Sequence, residues 1–384
     1  MIQRHILSSL KKLINKFPVI AVTGPRQSGK TTFLKESFPD YKYVSLEDPR
    51  VKAFFKKDPT GFLAEYGDKV IFDEAQGLPE LFSYIQTIVD NSGKMGQFIL
   101  SGSQNFHLMQ NITQSLAGRV AIFKLFPFDF LELEKAGLLS ENYEEALIKG
   151  FYPAIYNRNL SSTDFYNNYL QTYVERDITT LVNVRDLSKF RAFIRLCAAR
   201  VGQLLNLNDI ANGCGISQPT AKSWLSILET SYIVFQLTPY FQNFNKRIVK
   251  SPKIYFFDTG LLCHLLGIKK AQDLLLNPYK GSLFENLTIA QLYKESAHNA
   301  INNEYYFWRD SNGHEVDLLS IEGLKYHIFE IKSSKTILSE QFKGLDHFEE
   351  FAKDYVLSKT LIYGGKDNQK RTNYIIKPWN KPGL

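Results

Sequence analysis

Apolar residues in the N-terminal part of the chain follow two different periods. Over residues 1–17 they recur at helical spacing, which predicts an amphipathic helix. Four shorter apolar runs follow, at 19–22, 41–46, 69–72 and 97–101, and they predict buried strands. Strands that alternate with helical stretches predict an α/β domain with a parallel sheet.

The segment after the first predicted strand has the pattern of a phosphate-binding loop. Glycine at 24 and 29 lets the backbone turn tightly, so that N–H groups and the next helix N-terminus face an anion. Lys30 would reach the β- and γ-phosphates, and the Thr31 hydroxyl would hold Mg²⁺. A glycine-rich turn before an ordinary helix is the alternative, which the preceding strand disfavours. The predicted nucleotide-binding residues are Gly24, Pro25, Arg26, Gln27, Ser28, Gly29, Lys30, Thr31 and Thr32.

Polar residues at the ends of the later strands suggest catalytic roles. Asp73 and Glu74 end the strand at 69–72, where Asp73 would bind Mg²⁺ and Glu74 would polarise the attacking water. Ser103 follows the next strand and could sense the γ-phosphate. Arg119 could stabilise transition-state charge on a neighbouring subunit's nucleotide, or it could be a surface arginine at a helix end. Ligands of open α/β sheets bind at such carboxyl ends.

These motifs resemble those of bacterial and archaeal AAA+ ATPases that begin with an amphipathic helix and the Gly-Pro-Arg-Gln-x-Gly-Lys-Thr-Thr loop. The Ser-Gly-Ser turn at 101–103, Ser-Leu-Ala-Gly-Arg at 115–119 and Gly-Phe-Tyr-Pro at 150–153 match, as does Tyr-Val-Glu-Arg-Asp at 173–177. The resemblance implies ATP and Mg²⁺ as ligands and ATP hydrolysis by Glu74. It also implies a C-terminal region of unknown function. A homo-oligomeric ring that uses Arg119 is left open.

The middle of the chain has the pattern of a helix-turn-helix. Short helices are predicted at 207–212 and 216–225, joined by a glycine-bearing turn and with Ser217 as a plausible N-cap. A basic, aromatic stretch at 240–253, which includes Lys253, completes a predicted winged helix. The alternative is an adaptor that packs against protein. The candidate DNA-binding residues are Gln218, Thr220, Lys222, Lys246, Arg247 and Lys250.

The C-terminal region places four charged residues in a recognisable order. Glu285 lies in the first turn of a predicted helix, Asp317 follows an aromatic strand and hairpin turn, and Glu330 and Lys332 share one face of a later strand. This order resembles the PD-(D/E)xK nuclease core. The resemblance implies that the three carboxylates gather one or two Mg²⁺ and that Lys332 orients or deprotonates water. A nuclease fold kept as a structural platform is the alternative.

Composition narrows the partners and the compartment. The 384-residue chain carries a net charge of +7, which favours an acidic partner such as nucleic acid, although solubility alone explains such an excess nearly as well. Its three cysteines have no disulfide or metal spacing, which is typical of a reducing compartment. We see neither a signal peptide nor an apolar run long enough to span a membrane, so a cytoplasmic protein is expected.

The predicted fold class is α/β, in four parts: a P-loop AAA+ parallel-sheet core at 1–136, a helical lid at 137–184, a winged helix at 185–268, and a restriction-endonuclease-like domain at 275–384. The favoured function is an ATPase that acts on DNA, with a Mg²⁺-dependent nuclease activity left open. The alternative is a nucleotide-switched scaffold or regulator that binds a protein partner and carries an inactive nuclease-like fold.

Overall fold

A computed structural model describes residues 2–103, 105–173, 186–240, 250–301 and 303–383. The chain forms two compact units. The first comprises residues 1–128 together with 296–301, and the second comprises 129–295 together with 302–384. In the described part of the chain, no helix combines the length and the apolar character that crossing a bilayer requires.

The first unit contains a five-stranded sheet in which every pairing is parallel, with the order β2-β3-β4-β1-β5. The four strands predicted from apolar runs are therefore confirmed, and one more lies at the edge. The strands are β1 (Val19–Thr23), β2 (Lys42–Ser45), β3 (Val70–Asp73), β4 (Phe98–Ser101) and β5 (Val120–Lys124).

Helices cover both faces of this sheet because alternate strand residues point to opposite sides. Val19 and Ala21 of β1 belong to one apolar cluster, whereas Ile20 and Val22 belong to a second that includes Ile6 of the N-terminal helix. The predicted amphipathic helix is thus confirmed. The helices are α1 (Ile6–Ile14), α2 (Lys30–Ser37), α3 (Pro49–Lys57), α4 (Pro59–Glu65), α5 (Leu81–Ser92) and α6 (Asn105–Ser115).

The second unit begins with a run of short helices and then alternates helices with strands. Its helices are α7 (Phe130–Lys135), α8 (Tyr143–Lys149), α9 (Pro153–Asn157), α10 (Ser162–Tyr169), α11 (Leu187–Ala199), α12 (Leu207–Cys214), α13 (Gln218–Thr230), α14 (Thr259–Leu265), α15 (Lys280–His298) and α16 (Lys343–Ala352). The last residues of α15 are grouped with the first unit.

The second unit also contains one eight-stranded sheet, with the order β12-β13-β11-β10-β9-β8-β6-β7. Its strands are β6 (Val234–Pro239), β7 (Lys253–Phe256), β8 (Tyr305–Arg309), β9 (Glu315–Glu322), β10 (Lys325–Lys332), β11 (Val356–Tyr363), β12 (Gln369–Lys370) and β13 (Ile375–Pro378). β6 is antiparallel to β7 and parallel to β8, so strands from the predicted winged helix and nuclease-like regions share a sheet. The domain boundaries drawn from the sequence stay predictions.

Candidate nucleotide site and carboxylate cluster

The phosphate-binding loop lies between β1 and α2 and depends on its glycines. Gly24 has a φ of +145° and Gly29 a φ of +91°, values that disfavour any residue with a Cβ. A Cβ at Gly24 would also lie only 2.2 Å from the carbonyl oxygen of Leu125. Gln27 adopts a left-handed φ of +63° as well. The loop conformation is therefore specified by its own residues and by the backbone after β5.

Lys30 opens α2 and turns back over the loop. Its ammonium donates hydrogen bonds to the carbonyl oxygens of Gly24 and Pro25, each at 2.9 Å. The residue is only 6% exposed, and this burial lowers the pKa of Lys30 to about 8 although Glu74 raises it. Arg26 lies near enough to lower the same pKa further. A buried ammonium with a lowered pKa thus faces the loop, while Thr32 is exposed.

Asp73 at the end of β3 accepts hydrogen bonds from three neighbouring elements. The Thr31 hydroxyl donates to its Oδ2 at 2.7 Å, the Tyr43 hydroxyl donates to the same oxygen at 2.8 Å, and Ser101 donates to Oδ1. Burial and the Asp73 carboxylate raise the pKa of Tyr43, so its hydroxyl stays protonated. Sequence reasoning missed Tyr43 and Ser101, although both lie in predicted strands on either side of β3.

Glu74 is held beside Asp73 by two polar residues. Its backbone has a left-handed φ of +52°, and its carboxylate accepts from the Ser103 hydroxyl at 3.0 Å and the Ser103 N–H at 3.2 Å. Gln76 donates to the same carboxylate at 2.5 Å. The structure therefore brings together Glu74 and Ser103, which the sequence predicted separately. Gln76 is an additional partner of Glu74 that the sequence analysis did not indicate.

Arg4 is a second residue that sequence reasoning missed. Its guanidinium donates to the carbonyl oxygens of Ser28, at 3.0 Å, and Phe126, at 2.5 Å, and it lies 4.8 Å from the centroid of the Phe128 ring. These contacts attach the segment before α1 to the phosphate-binding loop. The sequence contains no signal for them because the partners are far apart along the chain.

Arg119 lies at the opposite end of the sheet from the loop. It precedes β5, and its carbonyl oxygen accepts from the N–H of Val19, the first residue of β1, at 3.2 Å. Its guanidinium is paired with Asp90 at 2.8 Å. The structure therefore does not bring Arg119 to the loop of its own chain, and a role at a neighbouring subunit stays a prediction.

The predicted helix-turn-helix corresponds to α12 and α13. Gly215 ends α12 with a φ of +62°, and the Ser217 hydroxyl caps α13 by accepting from the Thr220 N–H at 3.3 Å. The Thr220 hydroxyl is paired with Ser217, whereas Gln218 and Lys222 are exposed. Lys250 is also exposed, and Lys246 and Arg247 lie outside the described residues.

The four charged residues of the nuclease-like pattern come from α15, β9 and β10. The Lys332 ammonium lies 3.2 Å from Asp317 Oδ2 and 2.5 Å from Glu330 Oε1. Burial, with Asp317 as the next cause, raises the pKa of Glu330 to about 8. Its Oε2 atom is buried without a hydrogen-bond partner. Glu285 lies close enough to Glu330 to raise the pKa of that carboxyl further. Burial and, to a smaller extent, the nearby Asp317 raise the pKa of Glu285.

Lys253 of β7 corrects one expectation and adds a residue to this cluster. The sequence analysis places it in the basic stretch of the predicted winged helix, yet it is 2% exposed and lies 3.1 Å from Glu285 Oε1 and 2.5 Å from Glu315 Oε1. The Tyr255 hydroxyl also donates to Glu285. Residues two apart on a strand share a face, so the Lys-Ile-Tyr sequence at 253–255 could have predicted that Lys253 and Tyr255 point to the same side of β7.

Oxygen donors of this kind suit a hard cation such as Mg²⁺. The partnerless Oε2 of Glu330, beside Asp317, fits such an ion. Glu285 fits less well because Lys253 and Tyr255 already hold its carboxylate. Within the described ranges, the three carboxylates do not form a group whose ligand atoms all lie within 4.8 Å of one another. Asp317 and Glu330 are therefore the better candidate ligands.

Three family models match parts of the chain. Residues 16–134 match the family model described as an AAA domain, and residues 140–272 and 280–381 match two domains of unknown function. An uncharacterized protein of Mycobacterium tuberculosis is 33% identical over 341 residues, which cover 87% of this chain and 74% of the relative. The chain belongs to this family of AAA-domain proteins.

This AAA-domain protein also resembles another curated protein and two solved structures, at lower sequence identity. An uncharacterized protein of Haemophilus influenzae is 24% identical over 187 residues, covering 45% of this chain and 46% of the relative. The Walker-type ATPase of Pyrococcus abyssi has a TM-score of 0.46 at 15% identity, covering 69% of this chain and 96% of that one. AMPPCP-bound DnaA of Aquifex aeolicus has a TM-score of 0.31 at 15% identity, with coverages of 59% and 86%.

Proposed function

We propose that the AAA domain is a Mg²⁺-dependent ATP hydrolase. The observation that supports this most strongly is the 2.7 Å hydrogen bond between the Thr31 hydroxyl and the Asp73 carboxylate, with Glu74 next in sequence. These two oxygens suit Mg²⁺, which when bound would neutralise charge on the phosphates.

Each residue then has a defined role. The loop amides and Lys30 bind the phosphates, and the ammonium exchanges the carbonyls of Gly24 and Pro25 for charged phosphate oxygens, which are stronger acceptors. Glu74 orients the attacking water and accepts its proton at the carboxylate. Ser103 keeps that carboxylate in place through the two contacts described above.

ATP hydrolysis and ATP binding by the purified full-length chain test this proposal. Lys30→Ala should abolish binding in titration calorimetry, whereas Glu74→Gln should still bind ATP but turn over about 100-fold or more slowly. The matched controls are Lys56→Ala and Glu80→Gln, which change exposed residues of the same unit. Turnover at the wild-type rate in Lys30→Ala or Glu74→Gln would refute the proposal.

We also propose that this ATPase acts on DNA. The supporting observation is the order of α11, α12 and α13 followed by the antiparallel pair β6 and β7, which is the order of a winged helix. Exposed Gln218 and Lys222 lie on α13, the second helix of the helix-turn-helix, which would read or follow the duplex.

Fluorescence anisotropy with duplex DNA over a range of salt concentrations tests this step. Lys222→Ala should weaken binding and reduce the slope of log K against log salt by about one, whereas Lys366→Ala, which changes an exposed lysine elsewhere in the unit, should not. Absence of binding even at low salt would refute the DNA role. It would favour the alternative, a nucleotide-switched scaffold for a protein partner.

The nuclease activity is a separate proposal, supported by the buried, partnerless oxygen of Glu330. Asp317 and Glu330 would hold Mg²⁺, which would supply charge stabilisation at a phosphate, and Lys332 would orient the water. DNA cleavage with Mg²⁺ or Mn²⁺ should be lost in Asp317→Ala and Lys332→Ala but not in Lys325→Ala, an exposed position on the same strand. Equal products from every variant would indicate contamination. No products in any nucleotide state would indicate a structural platform.

A further inference from the structure

Three side chains with metal-ligand chemistry meet beside the turn between β8 and β9. Asp310 follows β8, His314 ends the turn, and His347 lies on α16. Asp310 Oδ2 lies 3.0 Å from His314 Nδ1 and 3.5 Å from His347 Nε2. One ligand atom from each residue lies within 4.8 Å of the other two. None of the three belongs to the nucleotide site or to the carboxylate cluster.

Neighbouring groups orient the Asp310 carboxylate toward the two imidazoles. Its Oδ1 accepts from the backbone N–H groups of Asn312 and His314, each at 2.9 Å, and its Oδ2 faces the two rings. The Asp310 side chain is fully buried. Backbone hydrogen bonds of this kind are a common means of fixing a metal-binding carboxylate.

His347 is oriented from its other side. Its Nδ1 lies 3.6 Å from Glu350 Oε2, a carboxylate that is 74% exposed. The Nε2 atom is buried without a hydrogen-bond partner, 3.5 Å from Asp310 Oδ2. A ring nitrogen and a carboxylate oxygen directed at one point in this way are both able to ligate a cation there. Metal-bound histidines usually direct the second ring nitrogen, here Nδ1, toward a carboxylate.

We propose that Asp310, His314 and His347 bind a divalent transition-metal ion of the zinc type. Two imidazoles and one carboxylate form a donor set that suits zinc, and three protein ligands leave a fourth position for water. Two ligands of a tetrahedral zinc ion, each about 2.0–2.1 Å from the metal, are about 3.3 Å apart. The separations of 3.0 and 3.5 Å bracket this value.

The present ring geometry shows which group moves on binding. The imidazoles of His314 and His347 stack with centroids 3.8 Å apart, closer than two rings on one tetrahedral ion. The His314 side chain is 46% exposed, so it turns outward while Asp310 and His347 stay in place. Bound metal would fasten the turn to α16. The residue after His314 is Glu315, which holds Lys253, so the same ion would steady the start of β9 beside the carboxylate cluster.

Metal titration of the chelator-treated full-length chain tests this proposal. Zn²⁺ is titrated by calorimetry, and Co²⁺ is titrated with the visible absorption band of tetrahedral cobalt as a second readout. His314→Gln and His347→Gln should each weaken Zn²⁺ binding at least tenfold and remove the cobalt band. The control is His327→Gln, because His327 is engaged by Ser358 at 2.7 Å and by Glu322 at 2.9 Å, outside the group.

Each outcome decides the proposal. Binding of one equivalent that is lost in both cluster variants and kept in His327→Gln supports it. Absence of binding at micromolar metal overturns it. Binding that is equal in all four proteins also overturns it, because the ion then occupies another site. ATP hydrolysis is not part of the readout, so failure here leaves the proposed function untouched.

Discussion

Replacing Lys253 by methionine tests the electrostatic account of the carboxylate cluster. Methionine keeps most of the unbranched side chain beside the Phe307 ring, which lies 5.4 Å from the ammonium, and it removes the charge together with the ammonium's hydrogen bonds. Glu315 keeps Arg309 as a partner at 3.3 Å. Glu285, with a side chain 14% exposed, is then a buried carboxylate without a cation.

Removing one member of a buried ion pair costs about 3–5 kcal/mol, because the remaining charge is uncompensated. With a urea m-value of about 3 kcal/mol/M for a unit of this size, the unfolding midpoint should fall by about 1 M or more. Adding Glu285→Gln to Lys253→Met should restore part of this loss, by at least about 1 kcal/mol, because the double variant no longer buries an unpaired charge.

Tryptophan fluorescence during urea unfolding measures this effect selectively. The chain has three tryptophans, Trp224, Trp308 and Trp379, and all of them belong to the second unit. Lys325→Met, at an exposed position of β10, is the matched control and should change stability by no more than about 0.5 kcal/mol. A wild-type midpoint in Lys253→Met, or no recovery in the double variant, would refute the buried ion pair.

Proton uptake at Lys30, the protonation of Glu330 and the conformation of Gly24 can each be tested. The pKa of about 8 at Lys30 implies that ATP binding above pH 8 must restore a proton, so affinity should fall with rising pH; calorimetry at pH 9 in two buffers should detect proton uptake, and no uptake would contradict this. Glu330 has a pKa of about 8 against an ordinary 4.5, so the folded chain binds the extra proton and stability should decrease from about pH 4.5 to 8. Glu330→Gln should flatten that decrease in urea midpoints measured across the range, and an unchanged slope would argue against it. Gly24→Ala should abolish ATP binding because its Cβ meets the Leu125 carbonyl oxygen at 2.2 Å, whereas Gly281→Ala, with no atom within 4 Å, should bind normally.

The nucleotide site could be predicted from sequence because its determinants are local. The loop occupies consecutive positions, and Asp73 and Glu74 directly end an apolar strand, so the pattern contains both the residues and their placement. The contacts of Arg4 and Tyr43 could not be predicted in the same way. They depend on which elements pack together, because Arg4 and Ser28 are 24 positions apart in sequence and Tyr43 and Asp73 are 30 positions apart.

Lys253 shows where the sequence misleads. The residues before it include Lys250 and Ser251, which favours a basic, exposed stretch, but its partners Glu285 and Glu315 are 32 and 62 residues away. The folded chain brings β7 beside α15, where the Asn286 side chain is hydrogen-bonded to the backbone of Phe256. A run of like charges along a chain therefore predicts solvent exposure only where no opposite charge from a distant part of the sequence pairs with it.

The parallel pairing of Thr238 and Pro239 with Tyr306 and Phe307 has a practical consequence for dividing this protein. A polypeptide cut to begin at residue 280 would expose one side of β8 as an open edge, ready to join another chain. It would also deprive Glu285 of its only buried ammonium among the described residues that contact it. The two regions of unknown function should accordingly be expressed, truncated and exchanged as a single piece.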